Sequence, residues 1–393
     1  MSSRTRLLVA VVSTGLISYV AVGSLLARVL GDTSYGQLSI FNEVIRLVLD
    51  AYVEPVDVDR AMAGARLGMT DALDGDSAYL DAEQFARYQQ PAGEQDADVG
   101  LILMRRFSFL MVVAARPGSP AGEAGLRTGD RVKSIDGRHT RPLPGVIGQQ
   151  LLGGAPGSTV TLGILRAGAD PFEISLTRER ILPAAPEGRM LDEATGYLRV
   201  SDFDADTGDA LRTQIEVLKR DGATRMVLDL RDAAWGDPAD GAPVAELFMD
   251  GGLVAKRVGR RVEETLFEAD PERSAWDGPL VVLVDSGTSG PGEIVAAALA
   301  DAAQAPLVGE HTLGRAASST PIPLPDGGLV LTVAKYMSPS GISIHGTGLE
   351  PSVPVAASDG TMDAGASETT RPDRILEKAL EVLSEQTEEK AAA

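Results

Sequence analysis

Apolar residues recur along this chain in two rhythms. From Tyr35 to Tyr88 they return every three or four positions. In LSIFNEVIRLVLDAYV, Leu38, Phe41, Val44, Ile45, Val48 and Leu49 share one face, which predicts a small helical region packed through that face. LDGDSAYLDAEQFARY predicts a turn rich in Asp and Gly, then a short helix with Asp81 as its N-cap. QQPAGEQDAD is polar and marks a boundary. From about Asp98 to Arg180 the rhythm shortens: VGLILM, FLMVVAA, RVKSIDG, TVTLGILR and FEISLTR predict short strands separated by Gly/Pro turns. Beyond Pro183, the apolar strands GYLRVSDF, RMVLDLR and PLVVLVD alternate with the helical stretches DALRTQIEVLKRDG and GEIVAAALADA. That alternation predicts an α/β core with largely parallel strands. LVLTVAKYMSPSGISIHGTGLEPSVPV adds a strand and a Gly/Pro-rich connection. Met362 to Pro372 is composed like a disordered segment, and DRILEKALEVL predicts a final helix capped by Asp373 before an acidic tail.

Residues Leu7 to Ala27, LLVAVVSTGLISYVAVGSLLA, carry no charge and follow Arg4 and Arg6. As a helix they span about 31 Å, enough to cross a bilayer, and the basic start places the N-terminus inside with the remainder exported. An uncleaved anchor is the expectation. The competing readings are a cleaved signal peptide, which usually has a shorter apolar run and a small-residue cleavage site, and a buried helix of a soluble domain.

With 393 residues the chain is long enough for two or three domains, each with its own core. A net charge of −20 offers a phosphate backbone no attraction, so nucleic acid is not an expected partner. The chain has no cysteine and only His139, His311 and His345 as histidines, which excludes disulfides, thiol catalysis and a thiolate or His-rich metal centre. No metal centre is expected.

DSGTSGPGEIVAAALAD, from Asp285 to Asp301, runs from a small-residue turn directly into a helix, the way several serine hydrolases present a nucleophile. GSPAGEAGLRTGDRVKSIDG resembles the centre of a PDZ domain, a module that adds a bound chain's C-terminus to its sheet as an extra strand. Together with LDGDSAYLDAEQF, GYLRVSDF, VLDLR, GEIVAAALADAAQAPLVGEHTLGR and YMSPSGISIHGTGLEPSVPV, these segments resemble the carboxyl-terminal-processing, or tail-specific, serine peptidases of family S41 over about Tyr35 to Val355. The resemblance implies an α+β multidomain fold: 1–30 anchor or signal peptide, 31–95 N-terminal helical region, 96–180 PDZ β-domain, 181–358 ClpP/crotonase-like spiral α/β peptidase core, and 359–393 linker, C-terminal helix and acidic tail. It also implies a cofactor-free Ser/Lys dyad, with a glutamine orienting the lysine. The partners implied are protein or peptide C-termini, the membrane through the N-terminal helix, and a second copy or an active homologue. The implied location is the bacterial cell envelope, with an extracytoplasmic domain anchored in the inner membrane, or secreted if the N-terminal signal is cleaved.

The residues that should carry this chemistry are absent. Anchored on Glu293, the family nucleophile position is Gly290, the base position 25 residues later is Arg315, and the glutamine position is Ser319. Glycine has nothing to attack with, and a guanidinium cannot act as general base. Of the paired glycines expected to form the oxyanion hole, only Gly236 remains, beside Trp235. A fallback nucleophile is Ser289, with Ser286 and Thr288 in the same turn and His311 or Lys335 as substitute bases. Against it stands the reading in which these hydroxyls only cap the helix. Val99, Gly100 and Leu101 occupy the PDZ loop that holds a terminal carboxylate, but Asp98 precedes them where the resemblance leads one to expect glycine. The expectation is a pseudopeptidase that binds C-termini or extended peptides. The alternatives are an active endopeptidase using Ser289 and a structural subunit with a closed PDZ groove.

Overall fold

The computed structural model describes residues 36–90, 97–106, 108–356 and 373–392. The expected anchor Leu7–Ala27 and the segment Met362–Pro372 lie outside them. No helix among the described residues is long and apolar enough to cross a membrane. Contacts divide the chain into Met1–Ala65 and Arg66–Ala393.

In the first unit, helix 36–51 forms as the spacing predicts, and Phe41, Val44, Ile45, Val48 and Leu49 line one apolar groove with Val58, Ala61 and Met62 of the next helix, but of these five only Ile45 is half-buried and the other four stay exposed. Leu38, expected on the same face, is 57% exposed.

In the second unit, Asp81 caps the helix Ala82–Tyr88: its side chain accepts from the Gln84 N–H while the Gln84 side chain accepts from the Asp81 N–H. Ala78–Asp81, expected within a helical region, is instead a strand that pairs antiparallel with residues 327–330. It belongs to a five-stranded sheet with Gly252–Val258, Thr265–Ala269, Ala317–Leu324 and Gly327–Met337.

The β domain comprises the strands Leu101–Arg106, Phe109–Ala115, Arg131–Ile135, Thr159–Leu165 and Phe172–Thr177, hydrogen-bonded in that order, with Arg138–His139 alongside Arg131–Ile135. It encloses its own core of Leu101, Leu110, Val132, Leu162 and Ile164. Leu101–Arg106 is the edge strand, flanked by the helix Gly145–Leu152.

The core sheet runs parallel through Thr195–Arg199, Arg225–Asp229, Leu280–Val284, Leu307–Gly309 and Val353–Pro354, with Glu187–Met190 added antiparallel at one edge. Its central strands read as unbroken apolar runs because both faces are covered. Met226, Leu228, Val282 and Val284 face the helices Thr207–Arg220 and Pro291–Asp301. Their neighbours Val227, Val281 and Leu283 face Ile375, Ala379 and Leu383 of the final helix. The Asp373 side chain accepts from the Leu376 N–H, the cap expected there.

Candidate active site cleft

The turn Asp285–Gly290 leaves the end of a buried central strand and enters the helix Pro291–Asp301, whose small residues allow its first nine positions to be buried. Three backbone N–H groups, of Asp232, Gly287 and Thr288, donate to Asp285 Oδ1 and hold the turn. Thr288 donates its hydroxyl to the Leu230 carbonyl at 2.8 Å, and the Ser289 N–H donates to the Ala233 carbonyl at 3.0 Å. At the elbow, Gly290 has φ 56° and ψ −115°. A Cβ there would touch only the Arg315 carbonyl oxygen at 3.7 Å and Pro238 Cγ at 3.9 Å, so position 290 has room for a side chain on a backbone that glycine tolerates best.

Glu293 brings the distant positions together. It is fully buried. One carboxylate oxygen accepts from the Gly290 N–H (3.1 Å) and the Arg315 N–H (2.8 Å), and the other from the Gly314 N–H and the Thr312 hydroxyl, both at 2.6 Å. Burial pushes its carboxyl up from the usual range, and these four donors work against that shift. The 312–315 loop is thereby tied to the helix N-terminus, which is the physical content of the spacing from Gly290 to Arg315.

Gly290, Arg315 and Ser319 line one cleft of about 420 Å³, together with Trp235, Gly236 and Asp76. Arg315 donates through Nε to Asp76 Oδ1 at 2.8 Å, a partner contributed by the Asp- and Gly-rich turn more than two hundred residues earlier. The exposed Ser319 lies 3.3 Å from the Thr332 hydroxyl. Gly236 has φ 124°, and a Cβ there would fall 2.4 Å from the Phe203 carbonyl oxygen, so close backbone approach requires glycine. Trp235 packs with Val113, Ala114 and Ala234, and the Arg116 guanidinium stacks over its ring at 4.8 Å. It thus joins the β domain to the core at the rim of the cleft.

The fallback residues are not brought together. Ser289 is fully buried, and its Oγ has no hydrogen-bond partner among the described residues. His311 is exposed with Nδ1 against the Thr312 carbonyl. Lys335 is exposed on the strand Gly327–Met337 and does not line the cleft. Ser286 Oγ lies 3.3 Å from Glu310. No group of acidic and histidine residues among those described could hold a metal ion.

Sequence reasoning did not single out Asp76, because nothing local to LDGDS points to Arg315. Nor did it single out Gln149, whose carboxamide bonds the edge strand at Leu101 and Leu103. The pair Gln149 and Gln150 in the otherwise apolar helix GVIGQQLL was the available signal.

Comparison with known proteins agrees with this architecture. Residues 194–355 match the model of peptidase family S41, and residues 111–166 match a PDZ domain. The carboxy-terminal processing protease CtpA of Bacillus subtilis (strain 168) is 29% identical over 351 residues, covering 88% of this chain and 75% of that protein. The carboxy-terminal-processing protease of Bartonella bacilliformis is 30% identical over 337 residues, covering 82% and 76%. Among solved structures, a photosystem II D1 C-terminal processing protease superposes with a TM-score of 0.67 at 26% identity, covering 80% of this chain and 86% of that one. On this evidence the chain belongs to peptidase family S41, among the carboxy-terminal-processing proteases.

Proposed function

We propose that this S41 protein is a pseudopeptidase of the bacterial cell envelope that binds extended polypeptide segments, protein C-termini among them, without cutting them. The observation that carries the reading is Gly290. It occupies the elbow where the family presents its nucleophile, in a cleft that has room for a side chain and lacks one. Arg315 supports the same conclusion, because it keeps the positive charge, is held by Asp76, and cannot take up a proton from an attacking hydroxyl. In a comparable hydrolase, loss of the catalytic unit costs about 10⁶ in rate. The neighbouring Ser289 does not repair the loss, since a fully buried hydroxyl with no hydrogen-bond partner among the described residues is neither accessible nor activated.

A tether through Leu7–Ala27, and assembly with a second copy or an intact relative, belong to the same proposal and rest on the sequence alone. The reading is tested by treating the full chain with a fluorophosphonate probe and mapping modified peptides by mass spectrometry. No serine of the segment 285–290 should be labelled, and stoichiometric labelling of Ser289 would overturn the proposal.

A further inference from the structure

The free edge of the strand Leu101–Arg106 faces the helix Gly145–Leu152, and an extended peptide joining the sheet would lie between them. Its terminal carboxylate would accept from the N–H groups of Val99 and Gly100. Its backbone would donate to the Leu101 carbonyl and accept from the Leu103 N–H. All four of these groups are already taken by side chains of this chain. Asp98 Oδ1 accepts from the Val99 N–H at 2.6 Å and the Gly100 N–H at 2.8 Å. Gln149 Nε2 donates to the Leu101 carbonyl at 2.8 Å, and Gln149 Oε1 accepts from the Leu103 N–H at 2.9 Å. Only this orientation of the carboxamide satisfies both bonds.

The arrangement is built in rather than incidental. Glycines let the helix sit close to the sheet: a Cβ at Gly148 would fall 2.2 Å from Leu110 Cδ1, and one at Gly145 would fall 3.2 Å from the Arg105 nitrogen. The Asp98 backbone is held by reciprocal bonds with Glu179, each of 2.9 Å, so its carboxylate is delivered to the loop from a fixed base.

We infer that the PDZ groove is self-occupied, with Asp98 standing in for a ligand's terminal carboxylate and Gln149 for its peptide backbone. A free C-terminus enters only by displacing both, and it must approach the fixed negative charge of Asp98 to do so. Asp98 therefore removes the advantage that a free carboxylate ordinarily has over a blocked end, and Gln149 weakens the pairing of any extended ligand. The inference takes only the chemistry of the ligand from the polypeptide-binding proposal. It holds whether or not the core cleaves.

The test is fluorescence anisotropy on the full chain with a labelled decapeptide ending in an apolar residue, as the free acid and as the C-terminal amide. Mass spectrometry of the same samples reports separately on cleavage. Wild type should bind the two forms equally. Gln149→Ala should tighten both forms alike, because it frees backbone groups that both use, whereas Asp98→Gly should tighten the free acid alone; the double variant should bind the free acid at least about tenfold more tightly than wild type and prefer it over the amide. If Asp98→Gly loses its melting transition, Asp98→Asn carries the test, because it removes the charge and keeps an acceptor for the loop. Paired with Gln149→Ala, it should tighten free-acid binding at least about threefold. A wild type that already prefers the free acid tenfold, or folded double variants that bind it no better than wild type, would overturn the inference.

Discussion

Replacing Asp232 by Asn should stabilise this protein, and only above acidic pH. Asp232 has φ 56°, donates its N–H to Asp285, and accepts from the Thr128 hydroxyl of the β domain at 3.4 Å. Burial, then the neighbouring Asp285 charge, push its carboxyl from 3.8 up to about 7. Burial also raises Asp285, while three N–H donors favour its ionised form and work against that shift. Below the unfolded value Asp232 is protonated in both states and its contribution is complete. As pH rises toward the folded value the unfolded chain ionises first, and native stability falls. A shift of about three units at 1.36 kcal/mol each sets a ceiling of about 4 kcal/mol on that loss. Asp232 retains some solvent contact, so about 2 kcal/mol is the expected size. Asparagine tolerates the left-handed backbone and does not titrate. Urea denaturation of both proteins at about pH 4 and pH 8 should give coincident midpoints at the lower pH and a higher midpoint for the variant at the upper. A variant less stable than wild type at pH 8, or a difference that ignores pH, would refute the argument.

Three further outcomes follow from the cleft. Glu293→Gln should cost about 3 kcal/mol, nearly as much as Glu293→Ala, because an amide nitrogen must then face N–H donors that both carboxylate oxygens now satisfy; thermal denaturation reads this. Gly290→Ser should cost about 1–3 kcal/mol, the strain of a side chain at φ 56° and ψ −115° where a Cβ meets nothing closer than 3.7 Å, and a larger loss in the same melts would show that the elbow has less room. Trp235→Ala should destabilise by about 3 kcal/mol and speed proteolysis of the segment between Thr177 and Glu187, since the indole joins the β domain to the core.

Much of this architecture was legible in the sequence because it is written locally. PLVVLVD reads as a doubly covered strand, and Asp81 and Asp373 announce helices whose first turns they cap. The 25-residue spacing from Gly290 to Arg315 survives because Glu293 bonds the backbone at both ends. What was illegible depends on partners far along the chain. Ala78–Asp81 is too short to declare itself a strand without residues 327–330 beside it. Asp76 has no meaning until the fold sets it against Arg315. Asp98 was visible as an oddity, but its effect on the groove depends on Gln149, placed about fifty residues later by a helix whose close approach two glycines allow. Ser289 differs from Gly290 by a single position, and only the three-dimensional turn shows that this step separates a buried hydroxyl from the cleft.

The central claim is that the peptidase fold remains here without its chemistry. Its most direct test is to incubate the full chain with an unstructured protein bearing an apolar C-terminus and to follow fragments by mass spectrometry, beside Ser289→Ala. The account predicts no fragments above background from either protein. Fragments that appear with wild type and vanish with Ser289→Ala would contradict it and place the nucleophile at Ser289.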